Sequence, residues 1–201
     1  MMQVVGLTGG IGVGKSFILR RLEQMGYPVY VADERARLLM ETRLRPAIEA
    51  LVGKEAFTPE GQLNRKHLGA RVFAEPALRE ALNNLVHPHT YADFVEWLQE
   101  QRAQGHPVAF KEAAITLETG LTQGLAAVVV VYAPLSVRLQ RLKARDHLSE
   151  AAILARLRSQ WPEWKKLAYA DFVIVNDGYL PLEPQLQALF HVLRLPPPYL
   201  C

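Results

Sequence analysis

With 201 residues, half of them apolar, a net charge of +3 and one cysteine, the chain has enough material for a sizeable core. The lone cysteine, Cys201, excludes an internal disulfide framework. The longest apolar run, Leu125 to Pro134, is about half of what a bilayer crossing needs, which argues against a membrane protein. Positions 135–170 hold eight basic side chains against three acidic ones, a local surplus suited to polyphosphate. Aromatic residues are not interleaved with these charges in the way a single-strand binder requires, so small anionic ligands are favoured over nucleic acid.

The first predicted strand, Val4–Thr8, runs into Gly9-Gly10-Ile11-Gly12-Val13-Gly14-Lys15-Ser16. Gly, four residues, then Gly-Lys-Ser is the phosphate-loop pattern, and its context agrees: a strand precedes it and Phe17-Ile18-Leu19-Arg20-Arg21-Leu22 continues as an amphipathic helix. Glycines let successive amides curl around an anion at the helix's positive end. Gly10 to Phe17 are therefore the expected nucleotide-binding residues, with Lys15 on the terminal phosphates and Ser16 as a direct Mg²⁺ ligand. Because the chain enters this strand almost at once, no cleavable leader fits before it, and a cytoplasmic protein is expected.

Met25-Gly26-Tyr27-Pro28 ends that helix. Further strands are predicted at Val29–Ala32, Val108–Phe110, Val128–Ala133 and Phe172–Val175, alternating with helical periods. The pattern is that of an α/β protein with a parallel sheet of about five strands covered by helices on both faces. Such sheets bind ligands beyond their C-terminal strand ends. Asp33 follows the second strand there, and two roles stand side by side: a carboxylate that takes a hydroxyl proton or holds Mg²⁺ through water, and a helix N-cap before Glu34-Arg35-Ala36-Arg37.

From 34 to 106 the apolar spacing is helical at Pro46–Leu51, His67–Phe73, Ala77–Val86 and Tyr91–Leu98, with a turn at Thr58-Pro59-Glu60-Gly61. An insertion of this length is expected to cover an acceptor substrate. His87-Pro88-His89 is predicted to break the helix; His87 reads either as a structural histidine or as one aimed at the cavity, and the spacing does not suit zinc. Glu112, after the third strand, has the position of a Mg²⁺-proximal carboxylate, with Glu118 six residues on.

The next helix is expected to bury Leu135, Leu139 and Leu142 while Arg138, Arg141 and Arg145 share its other side, solvated or facing phosphates. Ser149 is placed to cap a following helix carrying Arg156 and Arg158, and together the two resemble a lid that excludes water. Trp161 and Trp164 read as packing anchors. The last strand ends at Asn176-Asp177-Gly178, where Asn176 offers donor and acceptor to a base; a helix over Leu182–Leu195 closes the chain.

Taken together, Leu7 to Ser16, Ala32-Asp33 with Ala36-Arg37, the set Leu63, Arg65, Leu68 and Phe73, Leu82-Asn83 with His87-Pro88, Arg141 with Arg145-Asp146, and Asp171, Ile174, Asn176 and Gly178 resemble the motifs of dephospho-coenzyme A kinases, in order and over nearly the whole chain. Two departures stand out. Phe17 occupies a position where that family has a hydroxyl residue, and Glu112 to Glu118 lacks the proline and one leucine of the family's Asp-x-Pro-Leu-Leu-x-Glu stretch. The resemblance implies a phosphate-loop kinase built as one domain: a core of 1–33, 107–136 and 170–201, a helical acceptor-binding insertion at about 34–106 and a basic lid at about 137–169. It implies ATP and dephospho-CoA as substrates and Mg²⁺ as cofactor. Asp33 would be the catalytic base or acceptor-orienting carboxylate beside Lys15; Thr8, Arg65 and His87 would lie on the dephospho-CoA side, and Arg141 and Asn176 on the ATP side.

Overall fold

A computed structural model describes residues 2–113, 117, 124–146 and 149–196. Glu118 and Cys201 lie outside the described residues. The chain divides into two compact units, one formed by residues up to Tyr30 and from Gln101 onward, the other by Val31–Glu100.

The first unit is built on a five-stranded sheet. Its strands are β1 (Gln3–Thr8), β2 (Val29–Val31), β3 (Val108–Glu112), β4 (Ala127–Tyr132) and β5 (Phe172–Val175), in the order β2-β3-β1-β4-β5. The pairs β1–β3, β1–β4 and β4–β5 run parallel, with Leu7 opposite Glu112 and Thr8 opposite Val130. Near-continuous burial along β1 and β4 is what helices on both faces of a parallel sheet produce. Asp171 clasps the start of the β4–β5 pair: its carboxylate accepts from the Val128 N–H at 2.7 Å and its own N–H donates to the Val128 carbonyl at 2.9 Å.

Helix α1 (Lys15–Gln24) buries Ile18, Leu19 and Leu22 and ends where Gly26, at φ 86°, reverses the chain. Tyr27 then enters the core, its ring 5.5 Å from Phe110 and 5.1 Å from Phe190 and its hydroxyl donating to the Pro196 carbonyl. Removing that ring from water raises the Tyr27 pKa above the usual phenol range. The closing helix ends at Val192 instead of Leu195.

The described residues of the basic segment form α6 (Leu135–Asp146), α7 (Glu150–Arg158) and α8 (Glu163–Leu167), which follow the helices of the second unit along the chain. Ser149 caps α7 by accepting from the Ala152 N–H, as its position predicts. Lys143 pairs with Glu150 at 2.6 Å, and Asp146 takes both Arg145 and Arg156, so α6 and α7 are tied by charge. Two expectations fail here. Leu135 is 52% exposed while Arg138 is 5% exposed, because the helix turns its Arg138 edge, rather than its first leucine, toward the glycine loop. Trp164 is exposed where a packing anchor is expected; Trp161 packs on Tyr169 and carries the Lys165 ammonium over its ring.

The second unit contains α2 (Ala32–Glu41), α3 (Arg45–Val52), a 3₁₀ turn at Lys54–Ala56, α4 (Arg65–Ala74) and most of α5 (Pro76–Ala103). Leu39, Leu44, Ile48, Val52, Phe57, Leu68, Leu78 and Val86 form its own apolar core. The Thr58 turn closes through the Gly61 N–H on the Thr58 carbonyl. The predicted break at His87-Pro88-His89 is absent: Pro88 sits inside a continuous 28-residue helix. Proline removes one backbone donor, and here neighbouring side chains reinforce the turn, His89 Nδ1 on the Leu85 carbonyl at 2.8 Å and Thr90 Oγ1 on the Val86 carbonyl at 3.0 Å. Among the described residues no helix is long and apolar enough to cross a membrane.

Candidate functional site

The site grows from the end of β1. Thr8, its last residue, is fully buried, and the chain then turns through glycines that only glycine can occupy: Gly12 and Gly14 have φ of 83° and 92°. At Gly14 a side chain would also collide with the Asn176 amide. Gly14 is the N-cap of α1 and makes no side-chain cap hydrogen bond, so a helix of ten residues presents its positive end directly to the loop. That is the arrangement which binds phosphate.

Lys15, the first residue of α1, donates to the Gly9 carbonyl at 3.0 Å and lies 3.5 Å from Glu112 Oε1. Glu112 is the final residue of β3, two residues beyond the predicted strand end, and is 5% exposed. A buried carboxylate facing a partly buried ammonium compensates both charges. It also puts an acidic group at the strand edge beside the loop, where Mg²⁺ on a nucleotide is commonly met through one or two carboxylates and the phosphates themselves. Ser16 and Phe17 follow on the exposed side of α1, Phe17 at 53% exposure.

Arg141 and Asn176 are brought to the loop. Arg141 Nη1 donates to the Val13 carbonyl at 3.2 Å and Nη2 to Asn176 Oδ1 at 3.4 Å, while Asn176 Nδ2 donates to the same Val13 carbonyl at 2.8 Å. Asn176 thus bonds the loop through Nδ2 and accepts from Arg141 through Oδ1. Gln185 fixes the end of β5 just before it, bonding both the N–H and the carbonyl of Val175. Asp177 accepts from the N–H groups of Tyr179 and Leu180, which holds its carboxyl below the usual range.

Asp33, Arg65 and His87 belong to the second unit, and all three are exposed. The strand predicted to reach Ala32 stops at Val31, which is itself the N-cap of α2. Asp33 is therefore the second residue of that helix and not its cap, a correction to one of its two readings; its charge still complements the helix's positive end. A two-pronged ion pair, Arg35 Nε to Asp93 Oδ2 at 2.8 Å and Nη2 to Oδ1 at 2.6 Å, pins this first turn to α5, which bears His87. Arg65 opens α4, capped by the Asn64 side chain on the His67 N–H.

Three residues at the loop carry no signal in the sequence strong enough to single them out. Arg138 Nε donates to the Ile11 carbonyl at 2.9 Å, Gln160 Oε1 accepts from the Ile11 N–H at 2.9 Å, and Glu163 Oε1 pairs with Arg138 Nη1 at 2.7 Å. Arg138 was visible only as one member of an arginine row. Among the described residues no cluster of three or more His, Cys, Asp or Glu forms a metal site by itself.

Residues 3–181 match the family model for dephospho-CoA kinase. The chain is 45% identical over 179 residues to the dephospho-CoA kinase of Anaeromyxobacter dehalogenans, covering 88% of this chain and 85% of that one. Among solved structures it resembles TT1252 from Thermus thermophilus, with a TM-score of 0.82, 34% identity and coverage of 96% and 97%. It also resembles the dephospho-CoA kinase from Campylobacter jejuni, with a TM-score of 0.66, 28% identity and 96% of each chain covered.

Proposed function

The chain belongs to the dephospho-CoA kinase family, and from that premise we propose that it transfers the γ-phosphoryl group of ATP to the ribose 3′-hydroxyl of dephospho-CoA, giving CoA and ADP. The observation that carries this reading beyond the family match is the glycine loop at the side-chain-uncapped N-terminus of α1, with Lys15 folded over it. In phosphoryl transfer there is little covalent work for a protein to do; positioning and charge neutralisation supply most of the rate.

In this reading the loop Gly10 to Phe17 receives the ATP phosphates, Lys15 neutralises charge developing on the transferred group, and Arg141 and Asn176 shape the loop's outer side. Ser16 and Asp33 would hold Mg²⁺, and the ion would supply neutralisation of phosphate charge. Asp33 orients the 3′-hydroxyl and accepts its proton as the oxygen attacks the γ-phosphorus and the bond to the ADP oxygen breaks. Thr8, Arg65 and His87 serve the dephospho-CoA side. The burial of Thr8 supports a role through backbone or packing rather than through an open hydroxyl. Residues 34–106 cover the acceptor and 137–169 act as the lid that excludes water.

Steady-state turnover with dephospho-CoA, compared with nucleosides, nucleoside monophosphates and shikimate-like alcohols, tests the assignment. Dephospho-CoA is expected to give the highest kcat/KM; a preference for any other acceptor overturns it.

A further inference from the structure

Ile11, inside the glycine loop, has both its backbone N–H and its backbone carbonyl met by remote side chains. Its carbonyl is held by Arg138 and its N–H by Gln160, side chains 127 and 149 positions away. The arginine that does this is 5% exposed, and a second donor of the same guanidinium is occupied by Glu163. Directly beneath, Gly10 leaves no spare room: a Cβ there would run into the Arg138 guanidinium and the Glu163 carboxylate. Arg138 stands in the first turn of α6, Gln160 in the connection after α7, and Glu163 opens α8.

We propose that Arg138, Gln160 and Glu163 are positioning residues that brace the phosphate loop through the backbone N–H and carbonyl of Ile11 and so tie its shape to the placement of α7 and α8. This rests on the reading of the loop as the ATP site. The physical reason is that a glycine-rich loop has many accessible backbone states, and amides aimed at phosphate must be held in one of them before the ligand arrives. With Ile11 fixed from outside, anion coordination falls to the amides after it. Arginine suits the task because its planar fork serves two acceptors at fixed angles, which a lysine ammonium cannot reproduce. Glu163 in turn fixes the guanidinium plane through Oε1, and among the described residues its second oxygen, Oε2, is buried without a hydrogen-bond partner.

The test compares Gln160→Ala, Gln160→Glu and Arg138→Lys in the full chain, with three readouts: ADP affinity by calorimetry, KM for ATP against KM for dephospho-CoA, and backbone hydrogen exchange of the loop in the free protein. Gln160→Ala is expected to weaken ADP binding and raise KM for ATP by about tenfold, leave KM for dephospho-CoA unchanged, and speed exchange at residues 9–14. Gln160→Glu keeps an acceptor for the Ile11 N–H and should restore most of the loss. Arg138→Lys keeps the charge but not the fork and should behave like Gln160→Ala. Wild-type ADP affinity and loop exchange in Gln160→Ala would overturn the brace, as would no recovery in Gln160→Glu. A chain that fails to phosphorylate dephospho-CoA but shows these ADP and exchange effects would sink the substrate assignment and leave the brace standing.

Discussion

In the loop after β1, the carbonyls of Ile11 and Val13 are held by side chains 127, 128 and 163 positions further along. In the unit Val31–Glu100, side-chain hydrogen bonds commonly span a single helical turn: Arg45 to Glu49, Arg71 to Glu75, His89 to Leu85, Thr90 to Val86. The Arg35–Asp93 pair, within the same unit, spans 58 positions. The difference is one of chemistry. A helix supplies its own backbone partners, so its side chains need only reinforce it. A glycine loop has few internal partners, because amides that face an anion cannot close a helical or sheet ladder, and its outward carbonyls must be met from elsewhere in the fold.

The widest break in that contrast should come from the two charged residues assigned to chemistry, one in each region. Lys15→Ala removes charge neutralisation and is expected to cut kcat on the order of 10³-fold, with weaker ATP binding. Asp33→Asn is expected to lower transfer by roughly 10²-fold with ATP affinity little changed. Steady-state kinetics together with ATP titration separate them; unaltered turnover in Asp33→Asn would remove that carboxylate from the mechanism.

Next in size is the same substitution made in each region. Gly10→Ala forces a methyl against the Arg138–Glu163 pair and is expected to destabilise the protein by about 1–3 kcal/mol while raising KM for ATP. Gly69, inside α4, has nothing within 4 Å of the corresponding position. Gly69→Ala should therefore stabilise by about 0.5–1 kcal/mol, through helix propensity alone. Thermal or denaturant unfolding reads both signs, and a stabilised Gly10→Ala would show that the loop is not packed as described.

Much of this was legible from residue order, because the signals are local. Alternation of apolar runs with helical periods specified the sheet, and β5 falls on its predicted residues, Phe172–Val175. Eight consecutive residues spelled the loop. The Ser149 cap and the Thr58 turn were likewise readable from a few neighbours. Where local rules conflicted with the surroundings, they lost. Proline at 88 should end a helix, yet packing of Leu78, Val86, Phe94 and Leu98 along one long α5 outweighs a loss of about 3 kcal/mol.

The sequence by itself determined the class of fold, the anion-binding loop and the lysine that completes it, since each depends on contacts or conformations within a few residues. Only the tertiary structure decided that Arg138 is buried while Leu135 is not, that the Asn176 amide is divided between the loop and Arg141, and that Gln160 and Glu163 stand beside the loop. Periodicity assigns a residue to a face of its helix; what that face meets depends on chain folded back from more than a hundred positions away, and no local pattern encodes that distance.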